Sequence, residues 1–425
     1  MKVFCIVLDG AADRKIAVLK NRTPLEAAET RFLDEMTSKG QMSLISVLSE
    51  NLSPESDSGA MALLGYSPEH YYCGRGTLEC MGLETYRNYR YFSGFRINFA
   101  SVDSKKGTLE RRTARELSDG ELQELTQEIV SGVSLNSWGD IHFELKTFGH
   151  FRGILGLYSN THILSGNVTN TDPGYVKQGR YSVPVADYPS TPLECRPLDT
   201  DSEVTAGIVN DFVNQCSRIL NWSKVNFRRS KKGQMPANCI LVRDGGSVPQ
   251  AMPSFNSRYG ASLSIYGQLP CEKAIADLIG GKFYYTQGIE FQADKEYLRK
   301  LAQTLKHDTS NVIFCHLKGP DEPGHDNKPF DKVKAIEMID EYFFSQLWDP
   351  QSSCVYVVSC DHATPCELGI HSADRVPLLI VGNSVEADST NHFDEINAFH
   401  GNCIVRQADE IMPFLFNVRE EILSD

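Results

Sequence analysis

Three short apolar runs stop abruptly in acid, glycine or histidine: residues 2–10 (KVFCIVLDG), 310–325 (SNVIFCHLKGPDEPGH) and 353–362 (SCVYVVSCDH). Their length and β-branched content predict buried strands. Between the last two lies KVKAIEMIDEYFFSQLWD, in which Val333, Ile336, Ile339 and Phe343 recur at helical spacing. A strand, helix, strand order implies a parallel sheet with helices on its faces, an α/β fold.

The middle of the chain has another texture. From Tyr91 to Met235 it is richer in Thr, Asn, Ser and Gly, with strand-like pieces (YFSGFRINFASVD, FRGILGLY) around a long loop-like stretch, SGNVTNTDPGYVKQGRYSVPVADYPSTP. This predicts an inserted α+β domain at 91–235, interrupting an α/β domain formed by 1–90 and 236–425. With MPANCILVRDGG the chain returns to buried strands. A length of 425 residues fits such a division, since domains run to roughly 100–200 residues each.

Composition narrows the class. Hydrophobic residues are 41% and charged residues 23%, and no apolar run approaches the ~20 residues that span a bilayer. The opening MKVFCIVLDGAADR is broken by Asp9 and has no small-residue cleavage site, so it reads as a first strand and not as a signal peptide. Twelve cysteines are scattered without a CxxC pair, which points to a reducing cytoplasm. The net charge of −13 disfavours nucleic acid or an anionic membrane as partner. An anionic small substrate then needs local cations, and Arg96, Arg111, Arg112, Arg115, Arg152, Arg228 and Arg229 lie in the middle region. The chain carries no signal for an oligomeric state.

Ligands of open α/β sheets bind beyond the carboxyl ends of the strands. Asp9, Asp321, His325, Asp361 and His362 all follow such ends, with His371 a little further on. Each alone reads as a turn or a structural group, but together they form a carboxylate and imidazole set able to hold two divalent ions. Mn²⁺ or Zn²⁺ suit these donors best, with Mg²⁺ and Co²⁺ as the other candidates. Residues 53–66, SPESDSGAMALLGY, place three serine hydroxyls and two acids before an apolar run, the usual composition of a helix cap. Beside a divalent ion, Ser56 at a helix N-terminus also has the makings of a nucleophile, with Asp57 or Ser58 left to cap. Other chemistries fit less well: GRGTLECMG lacks the ending of a P-loop, LDGAADR is no dinucleotide turn, and ESDSG is not a nucleophile elbow.

The chain resembles the archaeal-type cofactor-independent phosphoglycerate mutases of the alkaline phosphatase superfamily. The resemblance runs in order through LDGAADR, RTPLEAAET, SDSGAMALLGYSPEHYYCGRGTLECMG, FRINFASVD, NTDP, KGQMPANCILVRDGG, HLKGPDEPGH, KVKAIEMID and CDHATPCELGIHSADRVPLLI. It implies an alkaline-phosphatase-like, mostly parallel sheet with helices on both faces. One ion would be held by Asp321, His325 and His371, the other by Asp9, Ser56, Asp361 and His362. Ser56 would become phosphoserine, Lys273 would steady the phosphoryl group, and Arg96, Arg115 and Arg152 would grip the organic acid. No 2,3-bisphosphoglycerate would be needed.

The chain departs from the family pattern at Ala60, where His is common, at ERRTAR in place of DRRAGR, and at RDGG in place of RGAG. None of these removes an expected metal ligand. The expected activity is interconversion of 3- and 2-phosphoglycerate, a glycolytic isomerisation. Two alternatives stay open at this point: a phosphatase or phosphotransferase acting on another small phospho-acid, and a non-catalytic binding protein on the same scaffold.

Overall fold

The structure is a computed structural model. It describes residues 1–425 except 50, 85–88, 104–105, 112, 150, 186, 249–250, 287–293, 419–425 and the side chains of Thr113 and Arg115. The chain forms two compact units, one of Met1–Tyr71 with Ala251–Asp425, the other of Tyr72–Gln250.

The first unit is built on a seven-stranded sheet in the order Lys282–Tyr285, Leu263–Gly267, Val312–Leu317, Val3–Leu8, Val355–Ser359, Val376–Val381, Gly40–Ile45. The first five strands run parallel, and Val376–Val381 is antiparallel to both its neighbours. The three apolar runs of the sequence are therefore adjacent central strands. Every residue of each is buried, as strands covered on both faces require. The expected helix is present as Pro329–Ile339 and passes through a wider π turn, Asp340–Phe344, into Ser345–Leu347.

The second unit is antiparallel. Strand Tyr91–Val102 pairs with Arg152–Ser159 on one side and Cys239–Ser247 on the other, and His142–Phe148 extends the sheet. Helices Asp119–Gly132 and Glu203–Asn221 close its core around Phe99, Leu125, Ile129, Leu155, Ile208 and Phe212. This unit is α+β, but longer at both ends than the expected 91–235. Helix Arg75–Gly82 packs on Tyr91–Val102 and on Cys239–Ser247. The segment CILVRDGG completes this sheet and not the parallel one, because a buried apolar strand looks the same in sequence whichever sheet it joins.

Candidate active site

The central strands deliver the chemistry to one edge of the first unit. Asp9 follows Val3–Leu8, His316 and Lys318 flank the end of Val312–Leu317, and Asp361 and His362 follow Val355–Ser359. Asp321 and His325 open and close the short helix Asp321–His325, so their four-residue spacing puts them on one face. Ser56 is the first residue of helix Ser56–Leu63. Its neighbours do the capping: Ser58 Oγ accepts from Glu55 N (3.0 Å) and Asp57 Oδ1 accepts from Ser58 N (2.9 Å).

Two glycines make the approach possible. A Cβ on Gly59 would stand 2.5 Å from Asp361 O, so the serine helix reaches the strand end only without one. Gly10 has φ +58°, and a Cβ there would lie 2.6 Å from both Asp321 Oδ1 and Thr364 Oγ1.

The hydrogen-bond network decides where the imidazole protons sit. His325 Nδ1 faces Gly369 O (2.9 Å) and His371 Nδ1 faces Pro54 O (3.1 Å), so both are donors there. Their Nε2 atoms then meet at 3.1 Å beside Asp321, a separation that calls for a proton or a metal ion between them. Thr364 Oγ1 donates to Asp321 Oδ1 (2.6 Å) and so accepts from His362 Nδ1 (3.0 Å). That leaves the His362 Nε2 lone pair facing Asp9 Oδ1 (3.4 Å), Asp361 Oδ2 (3.3 Å) and Ser56 Oγ (3.5 Å). Lone pairs converging on carboxylates in a buried site repel one another unless a cation lies among them. Asp321, His362 and His371 form one group with metal-binding spacing, and Asp9, Asp361 and His362 another. The donors fit divalent ions.

Local charges point the same way. Burial pushes the Asp9 carboxyl up, but Lys318, His316 and His362 prevail and hold it well below the usual carboxylate range. Burial and Asp9 raise Asp321, which its bonds to His325 and His371 nevertheless keep well below that range. Burial lowers His371, while Glu55 and Asp321 together lift it to about 9. In each case the pocket favours positive charge among its acids.

Two residues of the site escaped sequence reasoning. Lys318 Nζ lies 3.0 Å from Asp9 Oδ2 and donates to Ser56 Oγ at 3.4 Å. His316 sits between Glu272 and the Asp9–Asp361 pair. A histidine inside an otherwise apolar buried strand was the available signal. Lys273, expected to steady the phosphoryl group, pairs with Asp277 one turn along its own helix (3.1 Å), and that helix packs against the serine helix.

The arginines behave individually. Arg96 is buried in the second unit, 3.1 Å from Glu79 and 4.0 Å from Asp244, and Arg152 is exposed. The Arg115 side chain lies outside the described residues. Arg111 clamps Asp172 with two bonds (2.6 and 2.8 Å), Arg228 pairs with Glu124 and Arg229 is buried against Glu121.

Fold and site together define a class: an α/β enzyme whose strand-end edge is built for metal-assisted phosphoryl transfer to a serine. A family model described as 2,3-bisphosphoglycerate-independent phosphoglycerate mutase matches residues 37–226. A protein of that name from Aeropyrum pernix is 36% identical over 413 residues, covering 94% of this chain and 95% of its own. Another from Methanoculleus marisnigri is 33% identical over 420 residues, covering 98% and 97%. Among solved structures, a protein from Pyrococcus horikoshii superposes with TM-score 0.77 at 26% identity, covering 100% of this chain and 99% of that one. The cofactor-independent phosphoglycerate mutase from Thermoplasma acidophilum gives 0.62 at 26% identity, covering 98% and 99%. The chain belongs to the 2,3-bisphosphoglycerate-independent phosphoglycerate mutase family.

Among the described residues no helix is long and apolar enough to cross a membrane. None of the twelve cysteines, all of them among the described residues, is in a disulfide, and all but Cys354 are buried.

Proposed function

We propose that the chain interconverts 3-phosphoglycerate and 2-phosphoglycerate through a phosphoserine on Ser56. The observation that carries this reading is the position of Ser56 Oγ among Asp9, His362 and Lys318, while Asp57 and Ser58 serve the helix cap.

Asp321, His325 and His371 would hold one divalent ion, and Asp9, Ser56, Asp361 and His362 the other, Mn²⁺ or Zn²⁺ by donor type. When bound, the ions neutralise phosphoryl charge and favour the ionised serine. Ser56 Oγ attacks phosphorus, the bond to the C3 oxygen breaks, and the serine proton ends on that oxygen. In the return step the C2 hydroxyl of glycerate attacks the phosphoserine and its proton returns to Ser56 Oγ. Lys318 donates to the oxygen on which charge develops, with Lys273 as a second cation on the neighbouring helix. Arg96, Arg115 and Arg152 bind the carboxylate of the acid. The setting is the cytoplasm, and the substrate is a small anion.

A second reading, a phosphotransferase or phosphatase acting on another phospho-acid, draws on one observation. Asp244, the acid in RDGG, lies against both Arg96 and Arg243 and offsets their charge. The deciding experiment follows 2-phosphoglycerate by coupling to enolase, beside phosphate release, in metal-loaded protein. Isomerisation without added bisphosphoglycerate is expected, and phosphate release alone would replace the mutase reading by the second one.

A further inference from the structure

We infer that His316 is a fifth donor to the centre formed by Asp9, Ser56, Asp361 and His362. The inference rests on the reading of that centre as a metal site and adds a ligand to the expected four.

The Glu272 carboxylate is fully engaged: Oε2 accepts from Gln268 N and Leu269 N, both at 2.7 Å, and Oε1 accepts from His316 Nδ1. His316 Nδ1 is thereby fixed as a donor, which leaves Nε2 as the nitrogen able to bind a cation. The opposite nitrogen, Nε2, points at Asp361 Oδ2 (3.1 Å) and Asp9 Oδ1 (3.4 Å). These are the same two oxygens that His362 Nε2 meets, at 3.3 and 3.4 Å. The two imidazoles are thus equivalently placed against one pair of carboxylate oxygens.

His316 Nε2 and Asp361 Oδ2 are close, yet they are not aligned as donor and acceptor. Among the described residues each is a buried polar atom with no hydrogen-bond partner. Leaving both unsatisfied in a dry site is costly. A shared cation removes the cost. Ligands about 2.0–2.2 Å from such an ion stand roughly 3.0–3.5 Å from one another in tetrahedral or octahedral arrangement. The separations of His316 Nε2, His362 Nε2 and Ser56 Oγ from Asp9 Oδ1 are 3.4, 3.4 and 3.5 Å. Glu272 on the far nitrogen completes the pattern, since ligating histidines commonly give their other N–H to a carboxylate that fixes the ring.

The test uses the full chain loaded with ¹¹³Cd²⁺ and labelled with ¹⁵N-histidine, and counts imidazole nitrogens split by the metal. Four coupled histidines are expected: His325, His371, His362 and His316. Three, with His316 uncoupled, would overturn the inference and leave His316 as a charged neighbour of Asp361. Coupling at none would overturn the metal reading itself, and the inference with it. His316→Gln should remove one coupling, keep the other three and weaken cadmium binding at one site more than 100-fold in a chelator competition. Unchanged affinity at both sites in a folded variant would contradict the assignment.

Discussion

Lys318 Nζ reaches both partners of the reacting edge, Asp9 Oδ2 at 3.0 Å and Ser56 Oγ at 3.4 Å. Burial works against the ammonium, but Asp9, Glu272 and Asp361 raise its pKa above the ordinary lysine value, so it stays charged beside the serine. A fixed cation here stabilises negative charge on Ser56 Oγ and on a phosphoryl oxygen.

Lys318→Gln should therefore lower kcat about 100-fold, the usual effect of removing one donor from developing charge, with a much smaller change in KM. The enolase-coupled assay reads both constants. A variant that kept wild-type kcat would remove Lys318 from the chemistry.

Ser56→Ala should abolish turnover with little change in melting temperature. Ser58→Ala is the contrast: Ser58 accepts from Glu55 N and donates to Glu55 O, so its loss should cost about 1 kcal/mol of stability and leave most of the turnover. Thermal melts beside kinetics separate the two. The opposite outcome, an inactive Ser58 variant and an active Ser56 variant, would exchange the roles.

The strand-end edge was legible in sequence because each central strand is a continuous apolar run broken by its functional residue. Asp9 and the Asp361–His362 pair are examples. Ser56 was ambiguous because a cap and a nucleophile use the same residue types, and only the bonds of Asp57 and Ser58 separate them. His316 and Lys318 were missed for a different reason. Their significance comes from Glu272 and Asp9, on other segments, and long-range pairing has no local sequence period. The domain edges shifted because Cys239–Ser247 chooses its sheet by tertiary pairing with Tyr91–Val102.

Arg96 and Arg152 should respond differently to removal. Arg96→Ala removes the partner of Glu79 Oε2 but leaves Arg75 on Oε1 (3.0 Å), and should cost about 1–3 kcal/mol of stability, whatever it does to kinetics. Arg152 is exposed, so Arg152→Ala should leave the melting temperature near wild type while raising KM and the ratio of phosphate release to isomerisation. An Arg152 variant with KM and that ratio both unchanged would make the residue a surface charge.

Glu395 gives a pH signature remote from turnover. Burial raises its carboxyl to about 7, although it accepts bonds from Thr23 Oγ1 (2.6 Å) and Asp13 N (3.0 Å). The folded state holds a proton that the unfolded state releases near 4.5, so this group's contribution is fully present below pH 4.5 and is lost as pH rises through about 7. Glu395→Gln keeps the bond from Asp13 N, meets Thr23 Oγ1 as a donor instead of an acceptor, and removes the titration. Denaturant melts from pH 5 to 8 should show the variant losing less stability than wild type, by about 2 kcal/mol. Parallel stability profiles would refute the assignment.

Chelation should silence the enzyme, and Mn²⁺ or Zn²⁺ should restore it, because the converging ring nitrogens of His325, His371 and His362 call for cations. Full activity in protein shown to be metal-free would contradict this.

The most direct measurement is to quench metal-loaded enzyme in acid during turnover of 3-phosphoglycerate and map the phosphorylated peptide by mass spectrometry. The account predicts phosphate on Ser56, in the peptide containing SPESDSG, appearing on the timescale of turnover and absent from Ser56→Ala. Phosphate on Ser58, or rapid isomerisation with no phosphoenzyme under conditions that preserve phosphoserine, would contradict it.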